Sequence, residues 1–239
     1  MTEPPGAAAA DGPGAATSEP APTVRPAAIV VATAPRPGLC KARLEPMLGP
    51  EGCARLQAAL VARAARWAAE VGDPFVVFAP DDARDEIAEL APGATLLPQA
   101  EGSLGDRLAA AVRDVLAEHP GPALLAGVDT PQLSPAHAEA ALDDLRDGID
   151  VTVGPAAAGG YFLIGLREPN DAVFALPPEV WGGPDVLFKT LEAAARQRLT
   201  VAMLRAEREL DDEADARALL ADPLAPPDIR AALERDAGR

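Results

Sequence analysis

Three cationic side chains crowd one short loop. Arg36, Lys41 and Arg43 follow directly on the apolar run 28–32, within Ala-Pro-Arg-Pro-Gly-Leu-Cys-Lys-Ala-Arg-Leu. Lysine and arginine both grip phosphate oxygens, arginine in a bidentate manner. Such a cluster stands out in a chain whose formal net charge is −16. Far along the chain, Ala-Leu-Leu-Ala-Gly-Val-Asp-Thr-Pro-Gln-Leu ends an apolar run in one carboxylate, Asp129. Leu124, Leu125 and Ala126 read as a strand buried on both faces, the pattern of a central parallel strand. Ligands of open α/β sheets bind at the carboxyl ends of such strands. A carboxylate there can hold a divalent cation whose other ligands are phosphate oxygens. Asp is also a common turn residue, so strand context alone leaves Asp129 as either metal ligand or turn cap. A second group of acids, Glu209, Asp211, Asp212 and Glu213, follows the last strand-like run. It is open to the same two readings, with Asp211 or Asp212 as a helix N-cap.

Other chemistry finds little support. No glycine-rich dinucleotide fingerprint or Walker A lysine follows the first strand. His119 and His137 belong to no metal-ligand pattern and no nucleophile elbow, and are expected at the surface. Cys40 lies in the cationic loop, but neither histidine is placed to activate it, so a small filler role is expected. With Cys53 it forms neither a metal-binding pair motif nor a disulfide framework.

The elements that must position these residues alternate. Strands are expected at 28–32, 75–79, 95–98, 123–126, 149–153, 161–166 and 200–204. A helix over 50–71 presents Leu56, Leu60, Trp67 and Val71 on one face. Ser103 and Asp106 make a capping-box-like start for a helix carrying Leu104, Leu108, Val112 and Val115. Ser134 and Pro135 suit the N-cap and first position of the helix to Arg146, and a further helix is expected over 184–198. Alternating strands and helices mean an α/β fold with a doubly wound, mostly parallel sheet. Residues 1–26, rich in Ala, Pro, Gly and Thr without periodicity, read as a disordered leader. Residues 27–221 read as a single domain and 222–239 as a polar C-terminal tail.

The apolar fraction of 49% is ample for a core. The acidic balance argues against nucleic-acid binding, which needs a basic surface. No apolar run approaches the ~20 residues that span a bilayer, and the start lacks the basic and apolar regions of a signal peptide. A cytoplasmic location without membrane insertion is the expectation.

The order of four motifs resembles one bacterial family. These are the cationic loop, Gly-Ser-Leu-Gly-Asp-Arg-Leu (102–108), Gly-Val-Asp-Thr-Pro-Gln-Leu (127–133) and Gly-Gly-Tyr-Phe-Leu-Ile-Gly-Leu (159–166). The family is an uncharacterised glycosyltransferase-like one, some of whose members are assigned to arsenosugar biosynthesis. It has the glycosyltransferase-A (nucleotide-diphospho-sugar transferase) fold, also found in the molybdenum-cofactor and phospholactate guanylyltransferases. The likeness runs from residue 28 to about 220. It implies that Arg36, Lys41, Arg43, Gly102 and Arg107 contact a nucleotide and its phosphates, and that Asp129 and Lys41 are catalytic. It implies Mg²⁺ or Mn²⁺ on Asp129, with Asp211 as second ligand and Glu209 standing where the family commonly has the first Asp of Asp-x-Asp. Gly159, Gly160 and Tyr161 would face the acceptor, where missing side chains let a ligand approach the backbone. Two departures matter: Ala158 stands where the family usually has an acid, and the Leu-Ala-Gly-Gly type of loop found in many nucleotidyltransferases is absent.

The implied partners are a nucleotide or nucleotide-sugar and a small-molecule acceptor. A metal-dependent transferase using a nucleotide-activated sugar heads the readings. A nucleotidyltransferase joining a nucleoside triphosphate to a small phosphorylated acceptor follows. The third is a catalytically idle module that binds a nucleotide or a protein, for which Ala158 is the best support. Fold alone does not choose among them.

Overall fold

Alternate residues of the first strand, β1 (Ala27–Thr33), enter two different cores. Ala28, Val30 and Ala32 join the cluster on one face of the sheet, and Ala27 and Ile29 the cluster on the other. This is the two-residue period of a strand covered on both sides. The computed structural model describes residues 24–235. Within it seven strands form one sheet in the order β3-β2-β1-β4-β6-β5-β7. The others are β2 (Asp73–Ala79), β3 (Thr95–Pro98), β4 (Ala123–Ala126), β5 (Val151–Pro155), β6 (Tyr161–Leu166) and β7 (Val201–Met203).

β1 runs parallel to both β2 and β4, β2 parallel to β3, and β5 parallel to β7. β6 is antiparallel to β4 and to β5. The chain thus builds outward from β1 to β3 and returns to β4 on the other side of β1. That reversal opens a crevice between β1 and β4 at their carboxyl ends. Because β6 is reversed, its first residues, not its last, lie at this same edge. The expected doubly wound, mostly parallel α/β sheet is therefore what forms.

Helices α1 (Glu45–Val71), α2 (Arg84–Leu90), α4 (Pro135–Arg146), α6 (Glu213–Ala221) and α7 (Pro227–Glu234) pack on one face. Helices α3 (Leu104–Leu116) and α5 (Val186–Arg196) contribute to the core on the other. α1 begins earlier than its periodicity suggests: it starts at Glu45, breaks at Gly49 (φ 68°, ψ 166°) and restarts on Pro50. α3 opens on the expected box, Ser103 Oγ accepting from Asp106 N at 3.3 Å and Asp106 Oδ2 from Ser103 N at 2.9 Å. No helix among the described residues is long and apolar enough to cross a membrane.

Three expectations meet a different outcome or none. The leader falls, over residues 1–23, outside the described residues. The segment from 222 on is not simply a polar tail, since α7 inserts fully buried Ile229 and Leu233 beside α1. Both histidines are largely buried rather than at the surface. His119 stacks edge-on against Phe75 and pairs with Asp73, and His137 packs against Phe162 and reaches Glu207.

If α7 belongs to the fold, Ile229→Ala and Leu233→Ala each lower stability by about 2–5 kcal/mol, the cost of emptying a buried aliphatic site. Denaturant melts check this, and a change under 0.5 kcal/mol in both would make the segment dispensable.

Candidate functional site

A cavity of about 610 Å³ opens at the carboxyl edge of β1 and β4. Its wall includes Thr33 at the end of β1, Gly127–Asp129 after β4, Gln99 after β3 and Gly160–Phe162 at the start of β6. The loop 39–43, Trp181–Gly183 and two acids from beyond β7, Glu209 and Asp211, complete it.

Two main-chain contacts bring the acids from beyond β7 to this edge. Glu207 N donates to Pro155 O at 3.0 Å, and Leu210 N donates to Asp129 O at 2.7 Å. The chain therefore runs beside β5 and crosses to the loop after β4. Leu210 is 1% exposed and fixes that crossing in the core. Glu209 and Asp211, on either side of it, line the cavity.

Lys41 connects all three parts. Its backbone is left-handed (φ 54°, ψ 37°), an unusual conformation for a residue with a side chain. Its ammonium Nζ donates to Asp129 Oδ1 and to Leu210 O, each at 2.6 Å, and lies 3.9 Å from Asp211 Oδ1. The Lys41 side chain is only 4% exposed, so these oxygens replace its water. Arg43, more exposed, pairs with Asp211 Oδ2 at 3.3 Å. Burial pushes the Glu209 carboxyl up to about 7, and the negative charges of Asp129 and Asp211 add to this, while Lys41 opposes it. Asp212 caps α6, accepting from Asp215 N at 3.0 Å. The two readings of the acidic run thus fall on neighbours: Asp212 caps and Asp211 faces the cavity.

Of the residues singled out in the sequence, Lys41, Arg43, Arg107, Asp129, Gly160, Tyr161 and Asp211 line the cavity. Arg36, Gly102 and Gly159 are absent from its wall. Arg36 turns away from the cavity, where Glu86 of α2 and Asp82 in the turn just before that helix bind its guanidinium at 2.6 and 2.9 Å. Gly102 belongs to the turn before α3. Gly159 holds the loop against α5 (φ 100°), and a Cβ there would meet Pro184 O at 2.2 Å.

Gln99 is a cavity residue that sequence reasoning missed. Its Nε2 donates to Ala32 O and Val77 O, which leaves its Oε1 to accept from Arg107 at 2.7 Å. No carboxylate among the described residues pairs with Arg107, and its buried Nε has no hydrogen-bond partner. The cavity therefore presents a guanidinium held by a neutral amide. An earlier signal was available: Gln99 directly follows a strand and precedes the Gly-Ser-Leu-Gly-Asp-Arg turn.

The donor set fits a hard divalent ion in one specific manner. No group of three or more His, Cys, Asp or Glu among the described residues could cage a metal. Asp129 and Asp211, about half-exposed and both near the Lys41 ammonium, could supply the one or two carboxylates that Mg²⁺ takes when phosphates complete its shell.

Cys40, 7% exposed, lines the cavity, and burial pushes its thiol up to about 11. It fills space, as expected. Cys53 is fully buried beside it. At pH 8 both thiols should react with a thiol reagent at least ~100-fold more slowly in the folded protein than in denaturant. Rapid modification of Cys40 in the folded state would show an activated thiol instead.

Among curated proteins none matches in sequence. Solved structures do match. A Desulfovibrio desulfuricans G20 protein, provisionally described as a nucleotide-diphospho-sugar transferase, shares 26% identity at a TM-score of 0.78, over 88% of this chain and 94% of that one. A cytidylyltransferase from Leptospira borgpetersenii serovar Hardjo-bovis is 10% identical (TM-score 0.53, 89% and 93% covered). A homologue of Mycobacterium tuberculosis Rv0371c, from Mycobacterium sp. strain JC1, is 20% identical (TM-score 0.50, 83% and 97% covered). The last two show a shared fold alone. The fold is that of nucleotide-diphospho-sugar transferases. A family model matches residues 57–178, just over half the chain, and the protein belongs to that family, described as an uncharacterized protein conserved in bacteria (DUF2064).

Proposed function

We propose that the protein is a transferase acting on a nucleotide-activated sugar, with a divalent ion at Asp129 and Asp211. The observation that carries this reading is the convergence of Lys41 and Arg43 with those two carboxylates at the crevice between β1 and β4. The nucleotide-diphospho-sugar transferase description of the Desulfovibrio structure agrees with it.

Each part of the cavity then has a task. Lys41 and Arg43 bind diphosphate oxygens and share the charge that grows on the leaving group. A divalent ion, when bound, adds Lewis-acid stabilisation of that same charge. Asp129 is fixed through its own carbonyl by Leu210, so its carboxylate is aimed before substrate arrives. Arg107 and Gln99 hold a polar part of the donor away from the phosphates. Gly160, Tyr161 and Trp181 form the acceptor side, with Ala158 beside them.

Ala158 favours a second reading. The acceptor side named here carries no Asp, Glu or His, so it offers no general base for a neutral hydroxyl. An acceptor that is already an anionic phosphate needs none. Attack of such a phosphate on the α-phosphorus of a nucleoside triphosphate, with pyrophosphate leaving, would use the same cations.

A thermal-shift panel of nucleoside di- and triphosphates and nucleotide sugars, with and without Mg²⁺ or Mn²⁺, tests the site. A ligand at about 100 times its dissociation constant adds about 2.7 kcal/mol, on the order of 5–10 °C for a chain of this length. The expected result is a metal-dependent shift that Asp129→Asn abolishes, scored as ligand-induced change because that variant also loses the Lys41 pair. Incubation with the best donor and candidate acceptors separates the readings: nucleoside diphosphate supports glycosyl transfer, and pyrophosphate supports nucleotidyl transfer. Binding without turnover points to the idle module, and no shift with any nucleotide overturns both transferase readings.

A further inference from the structure

The ammonium of Lys41 occupies the surroundings of a metal ion. Around Nζ stand a carboxylate oxygen of Asp129, the main-chain oxygen of Leu210 and a carboxylate oxygen of Asp211, at 2.6, 2.6 and 3.9 Å. Carboxylate and carbonyl oxygens converging on one point are the ligands a hard divalent cation takes. Asp129 and Asp211 are also the pair that the proposed function assigns to the metal. A metal and an ammonium cannot share one position, because two cations a few ångströms apart in a poorly solvated site repel strongly.

Two further observations show that this placement is built in. The Lys41 carbonyl is itself held, accepting from Leu44 N at 2.8 Å and from Cys53 Sγ at 3.3 Å. These contacts maintain the left-handed backbone that sends the side chain inward. Beyond that fixed backbone the lysine stem has four rotatable methylenes, so the head can leave Asp129 without moving the loop. Arg43 already neutralises Asp211 from the solvent side. The free protein thereby pairs each of these two carboxylates with a cation without any metal.

We propose that Lys41 is a displaceable stand-in for the metal. In the free protein its ammonium fills the space between Asp129 and Asp211. Metal enters only with a phosphate-bearing ligand, whose oxygens take over the ammonium as it swings out. Metal and diphosphate then bind as a linked pair, each weak alone. This rests on the proposed nucleotide site, but its central claim concerns metal binding without nucleotide.

The test is Mn²⁺ binding to the full chain, followed by the electron paramagnetic resonance signal of free Mn²⁺. Without nucleotide, Lys41→Met should bind Mn²⁺ at least ~10-fold more tightly than the natural chain, and Lys41→Arg no more tightly, a change within the usual range of site-to-site coupling. Asp129→Asn added to Lys41→Met should remove the gain, which places the ion at this pair. In the natural chain, GDP, UDP or CDP should raise Mn²⁺ affinity about 5–150-fold, and the gain should shrink in Lys41→Met. Melting gives a readout that survives a fragile variant: Lys41→Met should lose stability in chelator and regain it with Mn²⁺, whereas the natural chain should be indifferent to Mn²⁺ alone. Equal or weaker Mn²⁺ affinity in Lys41→Met, or no recovery of its melting temperature with Mn²⁺, overturns the proposal. Failure of every nucleotide to raise Mn²⁺ affinity in the natural chain, with the Lys41→Met gain intact, counts instead against the nucleotide site.

Discussion

One main-chain hydrogen bond, from Leu210 N to Asp129 O, brings two walls of the cavity together. It joins the loop after the central strand to the segment beyond the last strand, and Lys41 closes the same junction through its ammonium. A buried ammonium is tolerated where oxygens replace its water, and the junction provides a carboxylate and a carbonyl for two of the three protons, with the charge of Asp211 3.9 Å away. The polar cost of placing charge at the sheet edge is therefore met within the site. The rest of the fold, with apolar faces on both sides of β1, serves to hold that edge rigid.

The local charge differs from that of the whole. The chain carries a net −16, which would repel a nucleotide diphosphate at long range. Screening confines this repulsion to about a Debye length, ~8 Å at physiological salt, and Lys41, Arg43 and Arg107 line the cavity itself. Arg107 differs from the other two: its partner is the neutral Gln99, so its charge is not already spent on a carboxylate. The antiparallel course of β6 completes this arrangement by turning Gly160–Phe162 toward the same edge as Asp129.

Much of this was legible in the residues. The central strand and Asp129 could be read because an apolar run that ends in a lone acid is hard to bury in any other way. Lys41 and Arg43 were legible as members of one cationic loop, but their pairing with Asp129 and Asp211 spans distances that no local pattern reports. Arg36 was misplaced for a local reason: Asp82, in the turn before α2, and Glu86, in its first turn, form a ready clamp, and nothing in the 36–43 loop reveals it. The acidic run 209–213 could not be divided between cap and cavity because its register depends on Leu210 being buried. Ile229 and Leu233, also four apart, carried a helical signal that the surrounding prolines and charges obscured. Gly159 and Gly160 look alike in sequence, yet only the second meets the cavity, since the first is pressed against Pro184.

The hydrogen bond from Lys41 to Leu210 spans 169 residues. Contacts that distant form late, after helices and neighbouring strands have organised, because closing a long loop costs entropy before it returns any stability. A chain still emerging from the ribosome can thus complete β1, β4 and their helices while its cavity remains without Glu209, Asp211 and the carbonyl that steadies Lys41. The finished cleft arrives with the last quarter of the chain, and so the order of synthesis itself keeps partial products from holding a complete site.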